Sequence, residues 1–345
     1  MAYTTIDDPT AHFQVGLYTS NTSAEVACTF DGNSAMQPDL LIVSDRDVAQ
    51  SNPVVDSTRG VDKILLTNGN YVENLGSYGT YFKSFDSDGF TVNDESSFFN
   101  YGTSKMFSPS WKANGGTTTN NTTGYTASVV QANTTSRFSI VTFTTDGSTR
   151  TVGHGLGVKP DVIIAKVRSG AGSWIVMTDL VDGSMDYGSL DTVAAFATIN
   201  YDAPTSSVFS YNDNNTNTEV AYCWAGVQGY SKFGSYIGNG NADGPFVYTG
   251  FKPAFIMLKN TESSSSTAWR IWDTKRNPGN VANIRSDAND PDAESTTTVI
   301  MDILSNGFKP RVNQVSINSS DEAHFYMAFA EEPLVTSGGV PATAR

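Results

Sequence analysis

Lys159-Pro160-Asp161-Val162-Ile163-Ile164-Ala165-Lys166 is answered later in the same chain by Lys252-Pro253-Ala254-Phe255-Ile256-Met257-Leu258-Lys259. A fainter version, Gln37-Pro38-Asp39-Leu40-Leu41-Ile42-Val43-Ser44, comes earlier. Each is a proline followed by a short apolar run. Proline lacks an N–H, so a strand tolerates it at the first residue, where no ladder bond is needed. An unbroken apolar run of about five residues between turn signals reads as a strand buried on both faces.

Working outward, other landmarks repeat in the same order. A segment ending in Asp follows each anchor: Val54-Val55-Asp56, Trp174 to Asp179, and Trp269-Arg270-Ile271-Trp272-Asp273. After Asp56 and Asp273 come Ser-Thr-Arg-Gly and Thr-Lys-Arg-Asn. Pro38 to Phe90, Pro160 to Phe209 and Pro253 to Phe308 span nearly equal lengths. Each copy then closes on an aromatic strand, ending at Trp111, at Trp224-Ala225 and at Phe329-Ala330. Asp-Gly and Asn-Gly pairs at 31–32, 88–89, 146–147, 182–183, 239–240 and 306–307 supply turns, because glycine accepts positive φ without steric cost.

The predicted fold is therefore all-β: three tandem β-sandwich modules of jelly-roll or lectin-like type. The expected division is a first module over 1–113, a polar linker or loop over 114–135, a second module over 136–229, a third over 230–333, and an extended C-terminal arm over 334–345. Charged residues make up only 16% of the 345-residue chain, against about 25% in ordinary globular proteins. Ser, Thr, Asn and Gly fill the gap and form helices poorly.

A formal net charge of −14 repels phosphate backbones and argues against a nucleic-acid partner. No apolar stretch approaches the roughly 18 residues of a membrane span, so membrane insertion is not expected. Cys28 and Cys223 lie far apart and lack metal-ligand spacing, which fits two small buried apolar residues.

No catalytic, cofactor-binding or metal site is predicted, and no enzyme activity. His12, His154 and His324 sit in no nucleophile motif. Gly153-His154-Gly155-Leu156-Gly157 reads as a tight turn, since its glycine spacing is not that of a phosphate loop. Asp56, Asp179 and Asp273 read as strand-end caps. Asp86-Ser87-Asp88-Gly89 and the acidic run Asp287 to Glu294 do not follow the order of a twelve-residue calcium loop. Trp111 matches Trp224 between copies, and Trp174 matches Trp269 or Trp272, so these read as core. Trp269 and Trp272 are three apart and point to opposite faces of a strand. One of them is therefore expected to face outward, as a surface or glycan contact.

These segments resemble a repeat family of bacteriophage tail and virion proteins, marine phages in particular. The resemblance is carried by FSIVTFTTDGSTRTVGHGLGVKPDVIIAK (138–166), SKFGSYIGNGNADGPFVYTGFKPAFIMLK (231–259) and FYMAFAEEP (325–333). It covers 136–333 well and 11–112 loosely, because the first copy lacks the Gly-x-Lys-Pro lead and the Ala-Phe-Ala ending. It implies a virion structural protein, tail-fibre-like or tail-associated, that contributes to host attachment through exposed loops. Other virion proteins and a host cell-surface glycan are the implied partners, a homo-trimer the implied assembly, and the virion, assembled in the host cytoplasm, the implied location. The alternatives are a capsid decoration protein and a glycan depolymerase.

Overall fold

The computed structural model describes residues 3–74, 81–94, 98–265 and 267–341. It is all-β, and three copies of one strand arrangement recur in it. In each copy the closing strand lies between the first strand and the anchor strand, and the strand that ends at Asp56, Thr178 or Asp273 follows. The order is Phe13–Thr19, Lys105–Trp111, Leu40–Ile42 and Pro53–Asp56 in the first copy. It is Phe138–Thr144, Thr218–Trp224, Val162–Val167 and Ile175–Thr178 in the second. In the third it is Ser231–Ile237, Ala323–Pro333, Phe251–Asn260 and Arg270–Asp273.

Register makes the equivalences exact to the residue. Trp111 pairs with Phe13 and Leu40, Trp224 with Phe138 and Val162, and Phe329 with Ser231 and Phe255. Pro38 and Pro160 precede their strands, whereas Pro253 lies inside one, and the ladder shifts register on both sides of it. A residue without an N–H forces such an irregularity.

The anchor strands are apolar on both faces because two different cores meet there. Leu40 and Ile42, Val162 and Ile164, and Phe255 and Met257 point into one core shared by all three copies. The alternate residues Leu41 and Val43, Ile163 and Ala165, and Ile256 and Leu258 point into a core private to each copy. This is the period-two alternation of a strand with no solvent face. Phe13, Trp111, Trp224, Phe255 and Phe329 meet in the shared core, with Trp111 5.9 Å from Trp224 and 5.5 Å from Phe329, ring centre to ring centre.

The private cores are closed in two ways. In the first copy the sheet Val26–Thr29, Gly89–Val92, Phe82–Asp86 covers the larger sheet, and in the second the pair Arg150–Gly153 and Val208–Tyr211 does so. The third copy departs from the expected pair of sheets. A single eight-stranded path runs from Ser231–Ile237 round to Val247–Tyr248 and curls over its own core. A register shift between Ala282 and Ile284 marks one corner, as bulges do where a strand must bend.

Two boundaries need correction. Segment 114–135 is not a linker: Thr119–Asn121 and Ser128–Asn133 extend the second copy's sheet, and Ser128, Val130 and Gln131 are buried. Its polar start hid the alternating Ser-Val-Val-Gln that follows. Nor is the C-terminal stretch an extended arm where it is described. Val335 bridges Pro341, and Asp7 holds Ser337. Residues 342–345 lie outside the described residues.

Candidate functional site

The copies close into a ring, and each seam repeats the same contacts. Glu73 N–H donates to the Arg168 carbonyl, Phe196 N–H to that of Thr261, and Glu294 N–H to that of Arg46, at 3.1, 2.7 and 3.1 Å. Arg46, Arg168 and Thr261 each stand six residues beyond the equivalent anchor positions Leu40, Val162 and Phe255. A second ring of contacts runs the other way. Trp174 Nε1–H donates to the Leu66 carbonyl at 2.7 Å, and Trp269 Nε1–H to that of Ser189 at 2.9 Å. Asn52 takes this place in the first copy and donates to Asp290 O at 2.9 Å.

Side chains distinguish the seams. Between copies one and two, Asp56 and Arg59 form a fully buried ion pair, and Glu73 links Arg59 to Arg168. Between copies three and one the same network recurs as Asp273, Arg276, Glu294 and Arg46. The seam between copies two and three has Thr178, Val181, Phe196 and Thr261 at those places and is apolar, with Phe196 5.8 Å from Trp269. Thr178, not Asp179, is the register mate of Asp56 and Asp273; Asp179 pairs with Lys159. Asp56 and Asp273 do cap their turns, accepting from Arg59 N–H and Arg276 N–H, both at 2.8 Å.

Lys166 and Lys259 are likewise equivalent and buried, and each donates across a seam to a carbonyl, of Tyr71 at 2.8 Å and of Val193 at 3.3 Å. Burial pushes both ammonium groups down, Lys166 to about 8 and Lys259 to about 7.

Trp269 and Trp272 correct the sequence expectation. They do point to opposite faces, Trp269 into the shared core and Trp272 into the third copy's private core, but both are 0% exposed. Neither is a surface contact, because both faces of that strand are covered.

The remaining chemistry is structural. His154 is buried; its Nδ1 accepts from Leu156 N–H at 3.2 Å inside the turn formed by Gly155 and Gly157, both at positive φ. Asp287 is held by Arg270 and Arg285, and Glu294 by Arg46. Among the described residues no group of three or more His, Cys, Asp or Glu is placed to hold a metal. Asp213 and Glu219 are pushed apart in acidity. Burial and the neighbouring Asp213 raise Glu219 to about 9; Asp213, despite burial, is lowered by hydrogen bonds from Asn217 and Asn215. Such divergence can mark an acid–base pair, yet Glu219 is 0% exposed and lines none of the clefts described here.

Several openings lie along the seams, and a further cleft of about 680 Å³ lies on the second copy itself, lined by Asn121, Ser128, Thr142 and Thr218 among others. An apolar cavity of about 40 Å³ sits where the copies meet, walled by Leu40, Trp111, Ile164, Trp224, Phe255 and Met327 among others, and such a void stays dry. At the outer end of the seam between copies one and two, Asp39 accepts from Ser57 Oγ–H and the N–H groups of Ala113, Gly115 and Gly116. Gln131, from the segment read as a linker, accepts from Asn114 and Gly116 N–H at 3.0 and 2.7 Å and so plugs the seam.

The equivalent places on the other seams are open. Between copies three and one a cleft of about 390 Å³ is lined by Gln14, Asp31, Lys252, Lys275 and Glu331. Lys275 pairs with Asp31, and Lys252 with Glu331 at 2.7 Å. Between copies two and three a cleft of about 340 Å³ is lined by Tyr3, Asp161, Gln228, Lys232, Phe233 and Tyr248. Sequence reasoning missed these residues, since each cleft forms between copies distant along the chain.

No curated protein matches the chain. Residues 8–333 match, as one unit, the family described as Domain of unknown function (DUF7483). That span takes in all three copies, as a ring with one common core requires, and the chain belongs to this DUF7483 family.

Proposed function

We propose that the chain is a structural protein of a bacteriophage virion, tail-fibre-like or otherwise tail-associated, that contributes to host attachment through exposed loops. The observation that carries this reading is the closure of three repeats around one buried core. The conspicuous buried ions, from Asp56 and Arg59 to Asp273 and Arg276, hold seams together. What the ring offers outward is loops and seam clefts on a rigid body, which is where binding residues are carried on a β scaffold. The resemblance of 136–333 to phage tail repeats points the same way.

The test is immunogold labelling of intact particles with antibody raised against the purified chain. Gold on the tail is the expected result. Gold on the head would favour a capsid decoration protein, and particles without label would overturn a virion role altogether.

A further inference from the structure

The seam between copies two and three leaves a carboxylate underused. Asp39 accepts four hydrogen bonds in the plugged seam. Its equivalent Asp161 accepts one among the described residues, from Gly226 N–H to Oδ2 at 2.7 Å, and it lines the cleft. Across from it the two end strands of the third copy's curled sheet approach one another. Lys232 Nζ bridges them by donating to the Tyr248 carbonyl at 2.7 Å, with the ammonium 5.3 Å from the centre of the Tyr248 ring. Tyr248 is 46% exposed, in a protein whose large aromatic side chains are mostly buried. Tyr3 adds its hydroxyl, which donates to Gly250 O at 2.7 Å and lies 3.3 Å from that of Tyr248.

We propose that this cleft binds a neutral saccharide, with Tyr248 as the stacking surface and Asp161 as the acceptor for adjacent hydroxyls. A carboxylate has lone pairs for two neighbouring O–H donors, and an ammonium keeps protons to donate after one bond is made. An exposed tyrosine ring offers an apolar face to the C–H face of a sugar, with a negative quadrupole that suits C–H contact. The volume lies at the small end of the roughly 300–1,000 Å³ of small-molecule sites. Phosphate or sulfate fits less well, since Asp161 repels an anion and Lys232 is the one cation lining the cleft among the described residues. The equivalent cleft between copies three and one has its lysines committed to Asp31 and Glu331.

The inference deepens the attachment reading and rests on it for identifying the sugar as part of a cell surface. The full chain is titrated with cellobiose, maltose and N,N′-diacetylchitobiose, followed by saturation-transfer NMR and calorimetry. At least one disaccharide binds. Tyr248→Ala and Asp161→Asn each weaken it about tenfold or more, a factor equal to about 1.4 kcal/mol. Tyr125→Ala, at an exposed ring on the second copy, changes nothing. Melting curves confirm that each variant is folded. No binding by any of the three sugars, or unchanged binding in Tyr248→Ala, overturns the cleft. Loss of sugar binding on a chain shown to sit on the tail leaves the attachment reading standing. Sugar binding by a chain absent from the particle does the reverse.

Discussion

Glu73 takes both hydrogen bonds of the Arg168 guanidinium across the first seam, each at 2.9 Å, while holding Arg59 at 2.8 Å on its other side. Removing it takes the carboxylate from Arg168 and leaves the buried Arg59 with Asp56 as its remaining counter-ion. Glu73→Ala is expected to cost about 2 kcal/mol, below the roughly 3–5 kcal/mol for leaving a buried charge wholly unpaired, because Arg59 keeps Asp56, read as a shift in urea midpoint. Although burial alone would raise the Glu73 carboxyl, Arg168 and Arg59 hold it below its ordinary value. Its contribution is therefore present above the usual carboxylate range and is lost as pH falls through the depressed folded-state pKa. The variant loses that acid-sensitive share.

Phe196 and Thr261 stand on the apolar seam where the other seams carry Glu and Arg. Phe196→Glu alone destabilises by about 2 kcal/mol, through lost packing and an unpaired charge. Adding Thr261→Arg returns about 1 kcal/mol in a double-mutant cycle, because the repeated backbone bond places the two side chains together. A coupling energy of zero would show that the seams are not equivalent.

Trp269 and Trp272 separate hydrogen bonding from burial. Trp269 Nε1–H bonds to Ser189 O across a seam, whereas Trp272 Nε1 is buried without a hydrogen-bond partner among the described residues. Trp269→Phe should cost about 1 kcal/mol more than Trp272→Phe, because it deletes a hydrogen bond that Trp272 does not make, while the Ser189 carbonyl keeps the N–H of Thr192. Equal losses in thermal melts would contradict this.

Glu219 gives the pH profile a sign. Burial, with Asp213 beside it, raises its folded-state pKa to about 9 from 4.5. Between these values the folded chain holds a proton that the unfolded chain has released, so stability falls as pH rises, by up to about 1.4 kcal/mol per pH unit. Glu219→Gln should flatten this slope and be more stable than the parent at pH 8 than at pH 4, measured by denaturant titration at both.

The repeat itself was legible in the chain: the anchor strands and the closing aromatics hold their places, though Pro253 lies inside its strand, and of the two partners read for Trp174 it is Trp269 that fits. The Asp-x-x-Arg of residues 56–59 and 273–276 was visible only as a landmark, since nothing local says that the pair is buried or that Glu73 and Glu294 continue it. Ring closure was hidden for a related reason. An anchor strand apolar on both faces looks the same whether its second face meets a partner sheet or two sister copies. That ambiguity also misplaced Trp269 and Trp272. The cleft of Tyr3, Asp161 and Tyr248 assembles residues from the chain start and two copies, and no spacing signals it.

The two ends of the described chain meet. Ser337 N–H donates to Asp7 at 2.6 Å, and Tyr3 and Leu334 both donate to the Gly250 carbonyl. With three equivalent copies closing on one another, the fold has no natural first member. Splicing residue 337 to residue 7 through a short bridge and opening the chain at exposed Thr118 would rotate the order to two, three, one without breaking a seam. The ring is thus a circular permutant of itself in all but sequence, and it is the differences between its copies, not their order, that distinguish one seam from the next.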